Sequence, residues 1–232
     1  MSDMKIGIMQ PYFLPYIGYW QLMNAVDRYV IYDDVAYIKQ GWINRNRMLL
    51  NGKEFLFSIP LAGASSFKNI NEIAIALVKS RLLKTIAQGY AKAPFYDTVF
   101  PLIGDIINYE EQNLARYVTH SIRAVADYLG IKTELVLSSE IDKDSSLRAQ
   151  DKVLDMCQTL GATEYFNAIG GQQLYSREEF LSAGIALRFL KTNPIVYQQF
   201  NNKFVPLLSI LDVMMFNSVE NISAMLVNYE LV

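Results

Sequence analysis

The stretch Lys5-Ile6-Gly7-Ile8-Met9 is an apolar run of strand length, and together with the next 23 residues it decides the fold. Turn-forming residues come directly after it, and Pro15 suits the first turn of a helix because its missing N–H is not needed there. That helix runs to about Ala25, and the β-branched and aromatic run 28–32 then predicts a second strand. A strand, a helix and a strand in this order predict a βαβ unit with two parallel strands.

A β-hairpin is predicted directly after this unit. Asn51-Gly52 separates the apolar run 48–50 from a second apolar run, 54–59. This dipeptide between two such runs is the strongest short signal for a hairpin, because both residues tolerate a positive φ. The sequence therefore predicts an antiparallel insertion next to the parallel strands.

The remaining chain predicts more helices and strands in alternation. Residues from about 79 to 130 have helical periodicity, which Pro94 and Pro101 divide into two or three segments. Further strands are predicted at 133–137, 164–167 and 185–190, and further helices at 110–129, 147–160, 175–183 and 207–227. We therefore predict one α/β domain, 1–232, with a mainly parallel sheet, flanking helices, a β-hairpin and a mainly helical insertion at about 79–130.

Composition excludes several classes of protein. The 232 residues carry a net charge of −2, so a broad basic surface for nucleic acid is not expected. One cysteine, Cys157, and one histidine, His120, cannot build a zinc site or an internal disulfide. The apolar run 204–216 contains Pro206 and Asp212 and is too short to span a bilayer, which needs about 20 residues. With no signal peptide predicted, we expect a soluble, cytoplasmic protein that does not insert stably into membranes.

The densest polar segment is residues 33–47, which comes after the second predicted strand. In open α/β sheets, ligands bind where strands end, and segments 10–19, 138–148 and 167–175 also come after predicted strands. Arginine binds phosphate or carboxylate through two hydrogen bonds, and aromatic rings stack on sugars or bases. The candidates are Asp33, Asp34 and Lys39 for catalysis, and Tyr37, Trp42, Asn44, Arg45, Asn46 and Arg47 for binding. This composition predicts a site for an anionic, ring-containing small molecule such as a nucleotide or nucleotide sugar; the alternative is a solvated loop of paired charges.

Other polar positions have two interpretations each. Asp33 and Asp34 could hold Mg²⁺ with a nucleotide, or one could cap a turn while the other is exposed. Gly170-Gly171 could let backbone N–H groups approach a phosphate, or form a simple turn. Asp212 is an acid within an apolar helix and needs a partner, so it either binds an Arg or Lys across the core or lines a pocket. We expect Cys157 to pack in the core, and His120 to be a structural or surface residue.

Three parts of the chain resemble the WbqC-like protein family. They are QPYFLPYIGY (10–19), YDDVAYIKQGWINRNR (32–47), and YQQF (197–200) with FVPLLSILDVMMFN (204–217). The resemblance implies a role in bacterial surface polysaccharide (O-antigen) biosynthesis, and it adds Gln10, Tyr16 and Tyr19 to the candidate binding residues. Two functions stay open: a transferase acting on a nucleotide-linked or activated amino sugar, or a non-catalytic nucleotide-sugar or glycan scaffold protein.

The first strand and the helix after it also resemble the opening of nucleotidylyltransferases of the HIGH-motif superfamily. In those enzymes two histidines stabilise the triphosphate, but Tyr16 and Tyr19 stand at the corresponding positions here. A phenol donates a hydrogen bond without carrying positive charge, so Lys39, Arg45 and Arg47 would have to stabilise phosphate. Two reactions stay open for a transferase: transfer of an amino-acid or acyl group to the amino sugar, and nucleotidyl transfer.

Overall fold

The computed structural model describes residues 3–76, 80–201 and 203–232, and within them the chain alternates strands and helices. The strands are β1 (Lys5–Met9), β2 (Arg28–Ile31), β3 (Arg45–Leu50), β4 (Lys53–Ser58), β5 (Leu61–Ala62), β6 (Ala74–Ile75), β7 (Glu134–Leu137), β8 (Glu164–Ala168), β9 (Ala186–Thr192) and β10 (Tyr229–Leu231). The helices are α1 (Ile17–Asn24), α2 (Ser80–Tyr90), α3 (Tyr96–Asn108), α4 (Leu114–Leu129), α5 (Ala149–Thr159), α6 (Arg177–Ser182), α7 (Ile210–Phe216) and α8 (Val219–Leu226).

The central sheet is mostly parallel, which confirms the predicted fold class. Its strand order is β10-β9-β8-β1-β2-β7, and β10 alone is antiparallel to its neighbour. The unit β1-α1-β2 joins adjacent parallel strands, as predicted. From β1 the chain moves to β2 and β7 on one side, and then crosses to β8 and β9 on the other. The carboxyl ends of β1 and β8 are therefore neighbours at the point where the direction reverses, the usual ligand-binding place in such sheets.

Both faces of the sheet are covered by apolar side chains. On one face, Ile6 and Val30 pack with Met156 and Cys157 of α5. On the other, Tyr29 packs with α1, the hairpin and the helices of the insertion. Neighbouring residues of a strand point to opposite faces, so a continuous apolar run suits a strand buried on both sides. Cys157 is fully buried, and burial raises the pKa of its thiol.

The predicted hairpin is formed by β3 and β4. Arg45 pairs with Ser58 at one end and Leu50 with Lys53 at the other. Between the strands, Asn51 and Gly52 have φ values of 52° and 73°. Two successive positive φ values are typical of the tight turn that matches the twist of a hairpin.

Some element boundaries differ from the sequence prediction. Pro101 lies inside α3 instead of ending it. Proline cannot donate to the carbonyl four residues earlier, that of Asp97. Both residues are exposed, so water can bond to this carbonyl instead. The predicted helix 110–129 begins only at Leu114, where Asn113 caps its first turn. Residue 79, the first of the predicted insertion, lies outside the described residues.

The prediction of one continuous helix over 207–227 was wrong. The segment is divided into α7 and α8 because Ser218 adopts an extended conformation and its side chain accepts a hydrogen bond from the Asn221 N–H at 3.3 Å. The chain then continues into β10, which the sequence did not indicate. In the described ranges no helix has both the length and the apolar character needed to cross a bilayer.

Candidate ligand pocket

Three segments from distant parts of the chain meet beyond the carboxyl end of β1. The Asn46 side chain donates a hydrogen bond to the Leu14 carbonyl at 2.8 Å, which fixes the loop after β1 to β3. Ser209 donates its hydroxyl to the same carbonyl at 2.6 Å and its N–H to the Arg47 carbonyl at 2.9 Å. Leu14 has a φ of 46°, a left-handed conformation that other contacts must hold in place. These hydrogen bonds bring the loop, the hairpin and the segment before α7 together.

A cavity of about 260 Å³ lies at this junction. It is lined by three aromatic residues, one cation, one amide and two apolar residues: Tyr12, Tyr16, Trp42, Arg47, Asn46, Pro15 and Leu207. We call this cavity the anion pocket. Its size is slightly below the roughly 300–1,000 Å³ typical of small-molecule sites, and aromatic walls with few polar groups are usual for them.

Arg47 has an unpaired hydrogen-bond donor in the wall of the anion pocket. Its guanidinium carbon lies 5.1 Å from the centroid of the Trp42 ring, and its Nη1 lies 3.0 Å from Glu54 Oε2. Arg47 Nε is buried and has no hydrogen-bond partner among the described residues. An unpaired buried donor costs about 1–3 kcal/mol. The guanidinium as a whole places a positive charge in the wall of the pocket, beside the Trp42 ring.

The two tyrosines of the pocket are neutral donors at neutral pH. Burial raises the pKa of both phenols, and the proximity of Tyr16 raises that of Tyr12 further. A Cβ at position 18 would lie 2.5 Å from Tyr16 Cε2, so only glycine lets the Tyr16 ring take its place over α1. The packing of the Tyr16 ring therefore explains why position 18 is a glycine.

The structure brings together four of the predicted binding residues: Tyr16, Trp42, Asn46 and Arg47. It adds Tyr12, Pro15 and Leu207, which were not among the candidates. Tyr12 and Pro15 belong to the segment 10–19 that comes after β1, so their position was a usable signal. Leu207 belongs to the segment 204–217 that resembles the family, but no local pattern placed it at a site; hydrogen bonds of Ser209 bring it to the pocket.

Other predicted binding residues make internal contacts. The Tyr37 hydroxyl donates to Asn44 Oδ1 at 2.9 Å, and the Asn44 amide donates to the Ile59 carbonyl at 2.8 Å. Tyr19 is 2% exposed and donates to the Gln10 carbonyl at 3.1 Å. These contacts support the loop and the hairpin behind the pocket.

Arg45 and Lys39 lie outside the lining of the anion pocket. Arg45 donates Nε to the Gly41 carbonyl at 2.8 Å and a second nitrogen to the Gln40 carbonyl. Its guanidinium carbon is 5.7 Å from the Trp42 centroid, so it also contacts the ring. Lys39 is exposed, and a catalytic role for it stays a prediction.

Asp33 is held by hydroxyl and amide donors at the end of β2. It is 3% exposed, and its two carboxylate oxygens accept from the Ser138 hydroxyl at 3.0 Å and the Ser139 hydroxyl at 2.7 Å. The Ser139 N–H adds a third bond at 2.9 Å, and the Asn71 amide lies 3.4 Å away. The carboxylate joins the ends of β2 and β7.

Asp34 forms an ion-pair cluster with two lysines. Its Oδ2 lies 3.0 Å from Lys143 Nζ and 3.1 Å from Lys152 Nζ, and its Oδ1 competes with Asp33 for the single proton of the Ser138 hydroxyl. Burial opposes ionisation of Asp34, but the hydrogen bonds from these three residues outweigh it and lower its pKa. Segment 138–148 was expected at this edge of the sheet, but Ser138, Lys143 and Lys152 were not among the candidates.

These contacts do not fit a Mg²⁺ ion held by the two aspartates. Their oxygens already accept from hydroxyl, amide and ammonium donors. Within the described ranges, no three His, Cys, Asp or Glu side chains stand close enough together to hold a metal ion.

Gly170 and Gly171 form part of a short 3₁₀ helix after β8. A Cβ at position 171 would lie 2.7 Å from Asn167 Oδ1, so packing explains this glycine. Gly170 has open space around it. A phosphate contact here stays a prediction.

Asp212 is buried within the protein, and its partners are neutral. The hydroxyls of Tyr90 and Tyr197 and the Gln199 amide each donate to its carboxylate at 2.7 Å. Burial raises the pKa of Asp212, although the three hydrogen bonds counteract this effect. Because the Tyr90 oxygen also accepts the Leu49 N–H at 2.8 Å, Asp212 joins α2, β3 and α7. The predicted Arg or Lys partner of Asp212 is therefore replaced by three neutral donors, and Asp212 does not belong to the lining of the anion pocket.

The chain folds as an α/β protein, and the candidate pocket lies beyond the carboxyl end of its first strand. The model of the WbqC-like protein family matches residues 10–224, and the chain belongs to that family. It is also 27% identical over 221 residues to the uncharacterized protein Rv1507c of Mycobacterium tuberculosis, covering 92% of this chain and 93% of that protein. No solved structure matches the chain significantly, and the likeness to HIGH-motif nucleotidylyltransferases is not confirmed.

Proposed function

We propose that this protein is a cytoplasmic transferase of bacterial surface polysaccharide (O-antigen) biosynthesis, acting on a nucleotide-linked or activated amino sugar. The observation that carries the binding part of this proposal is the Arg47 guanidinium in the aromatic wall of the anion pocket, 5.1 Å from the centroid of the Trp42 ring. The pathway rests on the family resemblance. A phosphate oxygen would accept from Arg47, and a base or sugar ring would stack on Trp42.

The lining suits such a ligand in three respects. Arg47 supplies positive charge, with Glu54 as an exposed partner that a phosphate can outcompete. The phenols of Tyr12 and Tyr16 can donate hydrogen bonds to sugar or phosphate oxygens because they stay protonated. Asn46 uses its amide for the Leu14 carbonyl, so it shapes the pocket.

The proposed reaction is transfer of an amino-acid or acyl group to the sugar amine. The amine nitrogen attacks the activated carbonyl carbon, a C–N bond forms, the bond to the leaving group breaks, and the nitrogen loses a proton. The pocket would orient the amine by holding the nucleotide. Nucleotidyl transfer is the other form of the proposal, and Arg47 would then stabilise the phosphate under attack.

A second candidate function is non-catalytic binding of a nucleotide sugar or glycan. It is favoured by the internal bonding of Asp33 and Asp34, which leaves these carboxylates little freedom to move a proton. The catalytic role predicted for them stays a prediction, and their contacts favour a role in positioning the loop after β2.

The two functions are separated by binding and turnover measured on the same protein. A thermal-shift screen would use UDP, dTDP, GDP, CDP and ADP and their sugar derivatives, and we expect at least one to raise the melting temperature. Mass spectrometry would then track amino sugars linked to that nucleotide, incubated with ATP, Mg²⁺ and amino-acid or acyl donors. A product mass supports the transferase. Binding without any product supports the scaffold, and unchanged stability with every nucleotide and nucleotide sugar contradicts nucleotide binding in either function.

A further inference from the structure

A second, larger cavity lies directly beside the anion pocket. Its volume is about 400 Å³, and it lies between α1 and the segment that runs from the end of β9 to α7. Its walls are mainly apolar, with Ile17, Ile195, Val196, Phe204, Leu208 and Val213 among them. We call it the apolar cavity.

Two of the three polar side chains in the described lining of the apolar cavity bond to groups outside it. The Tyr197 hydroxyl donates to Asp212 at 2.7 Å, and the Asn193 amide donates to the Asn228 side chain at 3.1 Å. Of the residues that the structure describes in its lining, none is charged. An occupant would therefore meet apolar surface and no counter-ion, which disfavours a carboxylate or ammonium group.

Leu207 belongs to the wall between the two cavities. This residue lines both cavities, is 62% exposed, and has a φ of 57°. A leucine in the left-handed region is uncommon and needs support from its surroundings, and such residues concentrate at functional sites. Tyr16 of the anion pocket and Thr192 of the apolar cavity also both lie close to Gly18, because a Cβ added there would be 2.7 Å from Tyr16 Oη and from Thr192 Oγ1.

We propose that the apolar cavity binds the acyl chain of an uncharged acyl ester or thioester, the second substrate of the proposed transferase. The inference rests on the proposed function, because it assigns the anion pocket to the amino sugar and the apolar cavity to the donor. Transfer requires both substrates side by side, and Leu207 places the two cavities in contact. Of the two groups that could be joined to the sugar amine, an acyl chain suits uncharged apolar walls, whereas an amino acid with its ammonium does not.

The experiment is calorimetric titration of the whole protein with butanoyl-, hexanoyl- and octanoyl-pantetheine, and with free octanoate. We expect affinity to rise about fourfold per added methylene group, the factor that corresponds to ~0.8 kcal/mol, until the cavity is filled. Octanoate should bind more weakly than octanoyl-pantetheine because its carboxylate finds no counter-ion. Equal affinity along the series, tighter binding of octanoate, or no binding at all would overturn the inference.

Two variants locate the binding. Val196→Asp changes a side chain that is 72% exposed, so the fold should tolerate it, and it should weaken octanoyl-pantetheine binding at least tenfold. Leu181→Asp on α6 is the matched control, because Leu181 is 71% exposed and lies outside both linings. If both variants bind the thioester like the unchanged protein, the apolar cavity is not its site.

The same variants distinguish failure of the inference from failure of the proposed function. Val196→Asp should leave untouched the thermal shift caused by the nucleotide, and Arg47→Ala should abolish that shift while leaving thioester binding intact. Nucleotide binding without thioester binding refutes only the apolar cavity. Thioester binding without nucleotide binding refutes the assignment of the anion pocket to an amino sugar nucleotide.

Discussion

Asp212 and Arg47 both lie in segments that resemble the family, but they differ in burial and in hydrogen bonding. Asp212 is fully buried, and three donors at 2.7 Å occupy its carboxylate. Arg47 is partly exposed, and its buried Nε lacks a partner in the described structure. The carboxylate of Asp212 has its full set of hydrogen bonds and holds the fold together, whereas Arg47 places its charge in the wall of a cavity.

The largest effect is expected for Asp212→Ala. Removing the carboxylate leaves the Tyr90 and Tyr197 hydroxyls and the Gln199 amide without their acceptor, so unfolding free energy should fall by at least ~3 kcal/mol. Urea denaturation measures this change. Asp105→Ala, at an exposed site on α3, should change stability by less than ~0.5 kcal/mol. A loss no larger than that of the control would mean that Asp212 does not join the three elements.

The second effect concerns ligand affinity. Arg47→Ala should weaken binding of the nucleotide that gives the largest thermal shift by about 10- to 100-fold, because hydrogen bonds to charged groups contribute ~1.5–3 kcal/mol. Stability should change by only ~1 kcal/mol, since the Glu54 pair is exposed. Arg28→Ala is a close control: Arg28 also pairs with a glutamate, and its side chain is 25% exposed against 27% for Arg47. Equal loss of affinity in both variants would contradict the anion pocket.

A third, smaller effect is the pH dependence of stability at Asp34. Its pKa lies below the ordinary value in the folded protein, so the carboxylate stabilises the fold above a pH of about 4 and loses this contribution as the pH falls through the folded pKa. The difference in unfolding free energy between the unchanged protein and Asp34→Asn should be positive at pH 7 and should shrink below pH 4. Urea denaturation of both proteins at pH 7 and below pH 4 measures this difference. A difference that grows on acidification would contradict a lowered pKa of Asp34 in the folded protein.

The smallest effect on nucleotide affinity is expected from removing the ion pair between Arg47 and Glu54. Glu54→Gln removes its exposed partner, so nucleotide affinity should rise up to about fivefold at low salt and less at high salt. Glu134→Gln removes the partner of Arg28 in the same way and should leave affinity unchanged. Weaker nucleotide binding in Glu54→Gln would indicate that Glu54 holds Arg47 in its binding position.

Sequence reasoning worked best where the signal was local. The first βαβ unit and the hairpin were predicted because strand patterning, Pro15 and Asn51-Gly52 all act within a few residues. Strand β10 was missed because three residues show no periodicity, and only pairing with β9 makes them a strand. The interruption between α7 and α8 was missed because a single serine cap produces it.

For the candidate site, the sequence identified residue types but not their partners. Tyr16, Trp42, Asn46 and Arg47 belong to two segments that flank α1 and β2, and these meet in the structure. Asp33 and Asp34 looked available in the sequence, yet Ser138 and Lys152, separated from them by 105 and 118 residues, bond to them. Such pairing depends on the order of strands in the sheet, which short patterns do not determine.

The hydrogen bonds from Ser209 to Leu14 and Arg47 also have a consequence for the order of events during synthesis. The walls made by Tyr12, Trp42 and Arg47 leave the ribosome early, but the segment that closes them is separated from Leu14 by 195 residues. Translation proceeds at ~5–20 residues per second, so for roughly ten seconds or more the nascent chain carries an incomplete pocket. Ligand binding would then report that the polypeptide has been made and folded through α7, and chaperones would meet the aromatic walls before any ligand could.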